Sequence, residues 1–148
     1  MILDGWRVKG VLGWRLDKWT MARLFWICMA GALGTGARYL IGIWAEQRLG
    51  KNLPFGTLIV NIAGCFLIGL VMHLALRTTA ISPTLRLVLT TGFMGGLTTY
   101  SSFNYDTTRL LQAGSYGAAM FYFFITVALC FAAGFLGMGA ARLVVGGR

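Results

Sequence analysis

Long apolar stretches separated by short polar segments make up most of the chain. Four stretches stand out, and each is close to the ~20 residues that a helix needs to cross ~30 Å of hydrocarbon. They cover approximately Leu24–Ala45, Gly56–Leu76, Leu87–Tyr105 and Ala118–Ala141. The sequence lacks the ten-residue alternating segments of a membrane β-barrel. The pattern therefore predicts an all-α integral membrane protein with four transmembrane helices, in which short loops make consecutive helices antiparallel.

Composition supports a membrane location. Of 148 residues, 57% are hydrophobic and 11% are charged, which leaves too little polar surface to cover a soluble globule of this size. We expect a single four-helix domain over residues 22–148, surrounded by the lipid bilayer. The apolar stretches leave no room for a second domain.

Residues 1–21 form a separate basic and tryptophan-rich tail. Its basic residues and tryptophans are Arg7, Lys9, Arg15, Lys18, Trp6, Trp14 and Trp19. One interpretation is an interfacial amphipathic segment. The other, which we favour, is a disordered tail or a start site placed upstream of a true Met21. A cleavable signal peptide is not expected, because a continuous apolar core followed by a small-residue cleavage site is missing.

The charge distribution favours lipid headgroups as partners. Thirteen basic residues give a net charge of +9, but they are scattered at the ends of the spans, whereas a nucleic-acid surface would cluster them. Nine basic residues, counted with the tail, fall on the amino-terminal side of the bilayer, and three fall on the other side. This favours an amino end inside the cell. Without the four in the tail the ratio is five to three, and such a chain could insert in both orientations.

The third span is unusually polar at its centre. Residues 95–103 read GGLTTYSSF, and each glycine costs about 1 kcal/mol in helix propensity. Irregular backbone at membrane depth persists where it is buried in protein or lines a wet cavity, and broken helices commonly direct free backbone groups at ions. We predict a third helix broken at Gly95–Thr98. A kink that only allows close helix packing is the alternative.

Other spans carry uncharged hydrogen-bonding groups at helical spacing. Thr57 and Asn61 are four residues apart on the second span, and Tyr122, Thr126 and Cys130 form a line on the fourth. Cys28, Cys65 and Cys130 lie on three different spans and predict neither a disulfide framework nor a metal site, so they are interpreted as packing residues.

Fixed charge is scarce within the spans. The four acidic residues are Asp4, Asp17, Glu46 and Asp106, none of them at the centre of a span. Arg38 is the deepest permanent charge, and its sign favours anions. Asp106 and Arg109 are predicted to form a local ion pair. Neutral donors, aromatic edges and one arginine together indicate a pathway for a small anion, and not an enzyme.

Three motifs on three successive spans resemble the Fluc (CrcB-like) family of bacterial fluoride channels. They are GALGTGARY at residues 31–39, GTLIVN at residues 56–61, and GGLTTYSSF preceded by LTTGFMG. The similarity covers about Met21 to Val145. It implies passive export of cytoplasmic fluoride through an antiparallel, dual-topology homodimer in the bacterial plasma (inner) membrane.

The resemblance also implies roles for individual residues. The pore asparagine corresponds to Asn61, and the two pore phenylalanines correspond to Tyr100 and Phe103. A structural sodium ion, which is not transported, would bind the backbone carbonyls of Gly95 and Thr98 at the dimer centre. The rest of the fluoride pathway would include Arg38, Thr57, Ser101, Tyr122, Thr126 and Cys130. Two residues depart from the family pattern, because Tyr100 adds a hydroxyl and Cys130 is a weaker donor than serine.

Two other functions remain open at this point. A small dual-topology, proton-coupled multidrug exporter also has four helices, but it needs a carboxylate within the membrane, for which Asp106 is the sole candidate. A nontransporting assembly subunit would use the break in the third span for packing only.

Overall fold

A computed structural model of the chain describes residues 18–146. In that range the backbone is helical apart from short connections, and it contains no strand. The helices are α1 (Lys18–Leu49), α2 (Phe55–Arg77), α3 (Pro83–Leu87), a π-helical segment (Val88–Met94), α4 (Gly95–Leu97), α5 (Tyr100–Gln112) and α6 (Tyr116–Gly146). Of the predicted tail, residues 1–17 lie outside the described range, and residues 18–21 form the first turn of α1.

Three helices are long and apolar enough to cross a membrane on their own, namely α1, α2 and α6. They correspond to the first, second and fourth predicted spans, and each extends beyond the predicted apolar stretch at one or both ends. The predicted third span consists of α3, the π-helical segment, α4 and α5, and we call Pro83–Gln112 the third span below. Its interruption and its polar residues separate it from the other three.

The helical path of the third span stops at two residues. Thr98 and Thr99 are extended, with φ/ψ of −87°/159° and −156°/116°. Gly95, where the sequence placed the start of the break, remains helical, and its N–H donates to the carbonyls of Thr90 and Gly92. The interruption thus lies at the carboxyl end of the predicted Gly95–Thr98 segment. The side chain of Thr99 then caps α5 by accepting a hydrogen bond from the Ser102 N–H.

Glycines allow the third span to lie directly against α1. A side-chain carbon added to Gly34 would collide with the carbonyl oxygen of Phe93, and one added to Gly96 would collide with the carbonyl oxygen of Gly31. Small residues of this kind permit close backbone approach between membrane helices. The GALGTGARY motif therefore holds the amino-terminal side of the break in place.

The same device joins α2 to α6. A carbon added to Gly69 would meet the Gly134 carbonyl, and one added to Gly137 would meet the Phe66 carbonyl. On the other face of α2, Gly64 leaves room for the methyl group of Thr98. Close contacts at glycines thus position α1 and α2, the two helices that flank the break.

Two glycines on α6 provide a matched test of this packing. We expect Gly137→Ala to destabilise the protein by about 1–3 kcal/mol, because the new methyl group is forced against the backbone of α2. Gly139→Ala has open space around it and should be neutral or stabilising by up to about 1 kcal/mol through helix propensity. Thermal unfolding of the two variants in the same detergent measures the difference. Equal stability would contradict the close contact between α2 and α6.

Candidate functional site at the helix break

Asn61 of α2 connects that helix to the break in the third span. Its side-chain amide donates to the Thr99 carbonyl at 3.1 Å, and its side-chain oxygen accepts from the Thr99 N–H at 2.8 Å. Asn61 is 9% exposed, and both bonds are part-buried. The Asn61 amide thus pairs with both the N–H and the carbonyl of the extended residue Thr99, in the way that a residue on a neighbouring β-strand does. One N–H of the Asn61 amide remains for another acceptor.

The break removes the helical hydrogen-bond donors of four carbonyls, those of residues 95–98. In an unbroken helix, the N–H of Thr99 would donate to Gly95 and the N–H of Ser102 would donate to Thr98. These N–H groups donate instead to the side-chain oxygens of Asn61 and Thr99. Gly95 and Thr98 are the residues to which the family resemblance assigned carbonyl ligands. Their carbonyl oxygens lose their usual donors here, which suits a hard monovalent cation.

Arg38 of α1 stabilises the carbonyl of Gly96, which lies between Gly95 and Thr98 in the sequence. Its Nε donates to the Gly96 oxygen at 3.0 Å, and the residue is half-buried. A charge-assisted bond of this type is stronger than a neutral one. The first-helix arginine therefore lies beside the break, where it orients one backbone group of the irregular segment.

Phe103 lies at the centre of an aromatic cluster. It is 6% exposed, and its ring centroid lies 5.6 Å from Tyr122 and 5.7 Å from Phe123. Tyr100, one turn earlier, is 6.0 Å away but 79% exposed on the described chain. The two predicted pore aromatics are thus in contact. Phe103 is interior, whereas Tyr100 faces outward.

One cavity of about 400 Å³ collects most of the predicted pathway. Asn61, Tyr100, Phe103, Thr126 and Cys130 line it. The two predicted carbonyl residues line it as well, so the structure brings seven predicted residues together, including Gly95 and Thr98. The rest of its wall is largely apolar, and the cavity opens to one side of the chain.

Two hydroxyls on α6 lack protein partners. Tyr122 and Thr126 are 1% and 4% exposed, and neither hydroxyl makes a hydrogen bond within the described residues. Leaving such a buried group unpaired costs about 1–3 kcal/mol. Thr126 lines the cavity, and Tyr122 contacts the ring of Phe103 that lines it. These hydroxyls are available to a ligand that enters.

The remaining predicted residues lie outside that cavity. Arg38 and Thr57 line a second space of about 450 Å³, together with Thr99. Ser101 is exposed, and its hydroxyl lies 3.1 Å from that of Thr99. The chain therefore arranges the predicted pathway as two spaces on either side of Thr99.

A third space contains charged side chains. Its hydrogen bonds differ from the ion pair that the sequence predicted between Asp106 and Arg109. It has a volume of about 320 Å³ and is lined in part by Thr57, Asp106 and Arg109. Asp106 accepts a hydrogen bond from the Thr57 hydroxyl at 2.9 Å. The predicted ion pair between Asp106 and Arg109 is absent, since the described residues form one ion pair, between Lys51 and Glu46. Asp106 is bound by Thr57 of α2 and not by Arg109, which lies three residues further along its own helix.

Sequence reasoning missed the part played by Thr99 and Cys65. Thr99 exchanges two hydrogen bonds with Asn61, and Cys65 lines the main cavity beside Cys130. The signal for Cys65 was its place four residues after Asn61 on the same helical face. Nothing local to Thr99 shows that its partner lies 38 residues away.

Comparison with known proteins gives relatives that cover most of the chain. Residues 25–138 match the family described as CrcB-like protein, Camphor Resistance (CrcB). A protein of Sorangium cellulosum named fluoride-specific ion channel FluC is 50% identical over 127 residues, which cover 86% of this chain and all of that relative. Relatives with the same name occur in Anaeromyxobacter dehalogenans, 50% identical over 84% of this chain and 96% of the relative, and in Acidobacterium capsulatum, 44% identical over 83% and 98%.

The relatives are named as ion channels and not as enzymes. Three apolar helices of membrane-spanning length and a family match over residues 25–138 indicate a multi-pass protein of the bacterial inner membrane. The motifs quoted from the sequence lie within or overlap the matched residues 25–138. The chain therefore belongs to the CrcB-like family.

Proposed function

We propose that this protein is a fluoride-selective channel through which cytoplasmic fluoride leaves the cell passively. The observation that supports it most directly is the cavity at the break, where Asn61, Phe103 and Thr126 meet. Its polar groups are uncharged, and the buried Thr126 hydroxyl has no partner in the described part of the chain. The relatives named above as fluoride channels support the same function.

Uncharged donors suit a small, strongly hydrated anion. The free N–H of Asn61 and the hydroxyls of Thr126 and Tyr122 replace water around fluoride. The ring edges of Phe103 add positive partial charge. Such a pathway selects by the number and field of its ligands and by its width. Chloride, which is larger, is excluded.

Flux from liposomes tests this proposal. We expect vesicles containing the purified protein to release fluoride rapidly, and to release chloride at the rate of protein-free vesicles. Ion-selective electrodes measure both anions in matched preparations. Equal release of the two anions would reject selectivity, and no release of either would favour the nontransporting subunit.

We infer that the working unit is a homodimer. On the described chain Gly95 is exposed and Tyr100 is 79% exposed, so the break lies at an uncovered face. Irregular backbone with released carbonyls is not stable against acyl chains. A second copy of the chain covers this face. The near-balanced charge outside the tail is compatible with the antiparallel arrangement implied by the resemblance.

A structural sodium ion fits the centre of such a dimer. Two of the released carbonyls of each chain, those of Gly95 and Thr98, would supply four oxygens across a two-fold axis. Carbonyl oxygen is a suitable ligand for a hard monovalent cation. When bound, the ion would hold the two breaks together, while the chain's own residues bind and orient the anion.

Replacing sodium by N-methylglucamine tests the ion. We expect the dimer to dissociate more readily and fluoride flux to fall, because binding at 100 times the Kd contributes about 2.7 kcal/mol. The dimer fraction at a series of protein concentrations, measured by light scattering in detergent, gives the shift. Restored flux on adding sodium is the control. An unchanged dimer and flux would remove sodium from the proposal.

A further inference from the structure

Two cysteines form part of the wall of the main cavity. Cys65 on α2 and Cys130 on α6 are both half-buried free thiols, and both line the 400 Å³ space. The helices are close at this level, since a carbon added to Gly134 would lie 3.7 Å from the Cys65 carbonyl oxygen. Of the two thiols, only that of Cys130 belongs to the predicted anion pathway, so the pathway gives no reason for the second.

The surroundings restrict what such a pair can bind. Ile68, Val127 and Phe131 make this part of the cavity apolar. One turn before Cys130, the buried hydroxyl of Thr126 lines the same space and has no hydrogen-bond partner among residues 18–146. Among residues 18–146, no three His, Cys, Asp or Glu side chains are grouped as a metal site. A four-coordinate zinc site of protein ligands is therefore excluded within that range.

We propose that Cys65 and Cys130 form a two-thiolate binding site for a soft divalent metal cation. Thiolates prefer soft metals, and mercuric ion accepts two of them in linear coordination. Two S–H bonds break, two S–Hg bonds form, and two protons pass to water without any change of oxidation state. Two thiolates and one divalent ion make a neutral unit, which avoids the high cost of a net charge in an apolar cavity. Thr126 supplies a weak third oxygen contact.

The position of this site connects it to transport. The cavity that contains the thiols also contains Asn61 and Phe103, so a bound metal ion obstructs the anion. The obstruction of the anion rests on the proposed function, whereas the binding of the metal ion does not depend on it.

The binding test uses the full-length chain in a Cys28→Ser background. Cys28 is exposed on α1 and lies apart from the cavity, so this change leaves the two candidate thiols alone. We expect one mercuric ion per chain after gel filtration, a thiolate-to-mercury absorption band, and protection of both thiols from maleimide. Adding Cys65→Ser or Cys130→Ser should weaken binding by more than about 100-fold, since even outer-shell partners are worth about 10–100-fold in metal affinity.

Several outcomes would overturn the proposal. Two mercuric ions per chain would show independent thiols, and unchanged affinity in either serine variant would show that the pair is not shared. Failure of mercury to protect the thiols of the unsubstituted chain would do the same without relying on any variant.

Flux distinguishes this proposal from the proposed function. In liposomes, we expect mercuric ion to stop fluoride release from the Cys28→Ser protein, and to leave release from Cys28→Ser/Cys65→Ser at its own untreated rate. Metal binding without inhibition would contradict the obstruction. If no variant releases fluoride before mercury is added, the proposed function fails, while the binding result still decides the metal site.

Discussion

Replacing Asn61 by leucine is expected to abolish fluoride flux and to weaken the fold. The side chain of Asn61 makes the only contacts that pair both backbone groups of Thr99 in the described structure. Leucine has a similar size but leaves the half-buried N–H and carbonyl of Thr99 without partners. A fully buried group of this kind costs about 1–3 kcal/mol, so for two half-buried groups we expect a loss of about 2 kcal/mol. Thermal or denaturant unfolding in detergent measures it.

The flux effect of Asn61→Leu has a separate cause. Removing a single preorganised donor from a developing charge costs about 100-fold or more in enzyme sites, and we expect at least that reduction in fluoride release. Asn52→Leu is the matched control, because Asn52 is exposed in the loop between α1 and α2. Near-normal flux in the Asn61 variant would show that its amide serves the backbone alone.

Phe103→Ile is the second change with a large expected effect. The ring is buried between Tyr122 and Phe123, and isoleucine has no polarised ring edge to present to an anion. We expect fluoride release to fall by about 100-fold, as for loss of a preorganised donor, while stability falls by about 1–2 kcal/mol. Efflux assays and size-exclusion chromatography of the dimer measure the two quantities.

The control for Phe103 lies on the outer surface of α6. Phe124 is exposed, so Phe124→Ile removes an equal ring that faces away from the cavity. The dimer should persist in both variants, and flux should persist in the Phe124 variant alone. Full flux after Phe103→Ile would place the pathway elsewhere.

The sequence predicted the helices well because their signal is local. An apolar stretch of membrane length specifies a helix without reference to the rest of the chain. The ends were less accurate, since α1 continues into polar residues at both ends, from Lys18 to Leu49. Helical hydrogen bonding does not stop where hydrophobicity does.

The site was predictable in its members but not in its hydrogen bonds. The motifs singled out Asn61 and Phe103, and the spacing on the fourth span singled out Thr126; all three line one cavity. The bond from Thr57 to Asp106 joins residues 49 positions apart, and periodicity within one helix carries no information about such a pair. Spacing instead favoured Arg109 as the partner of Asp106, which the structure does not show.

The dependence of the third span on α2 has a consequence for biosynthesis. The third span leaves the ribosome after α2, and its polar centre makes it a poor substrate for insertion by itself. Only when Asn61 is already in place do the backbone N–H and carbonyl of Thr99 have the partners that the folded protein gives them. We therefore expect the newly made third span to wait at the translocon until α1 and α2 can receive it, so that changes in those earlier helices reduce membrane yield before any channel exists.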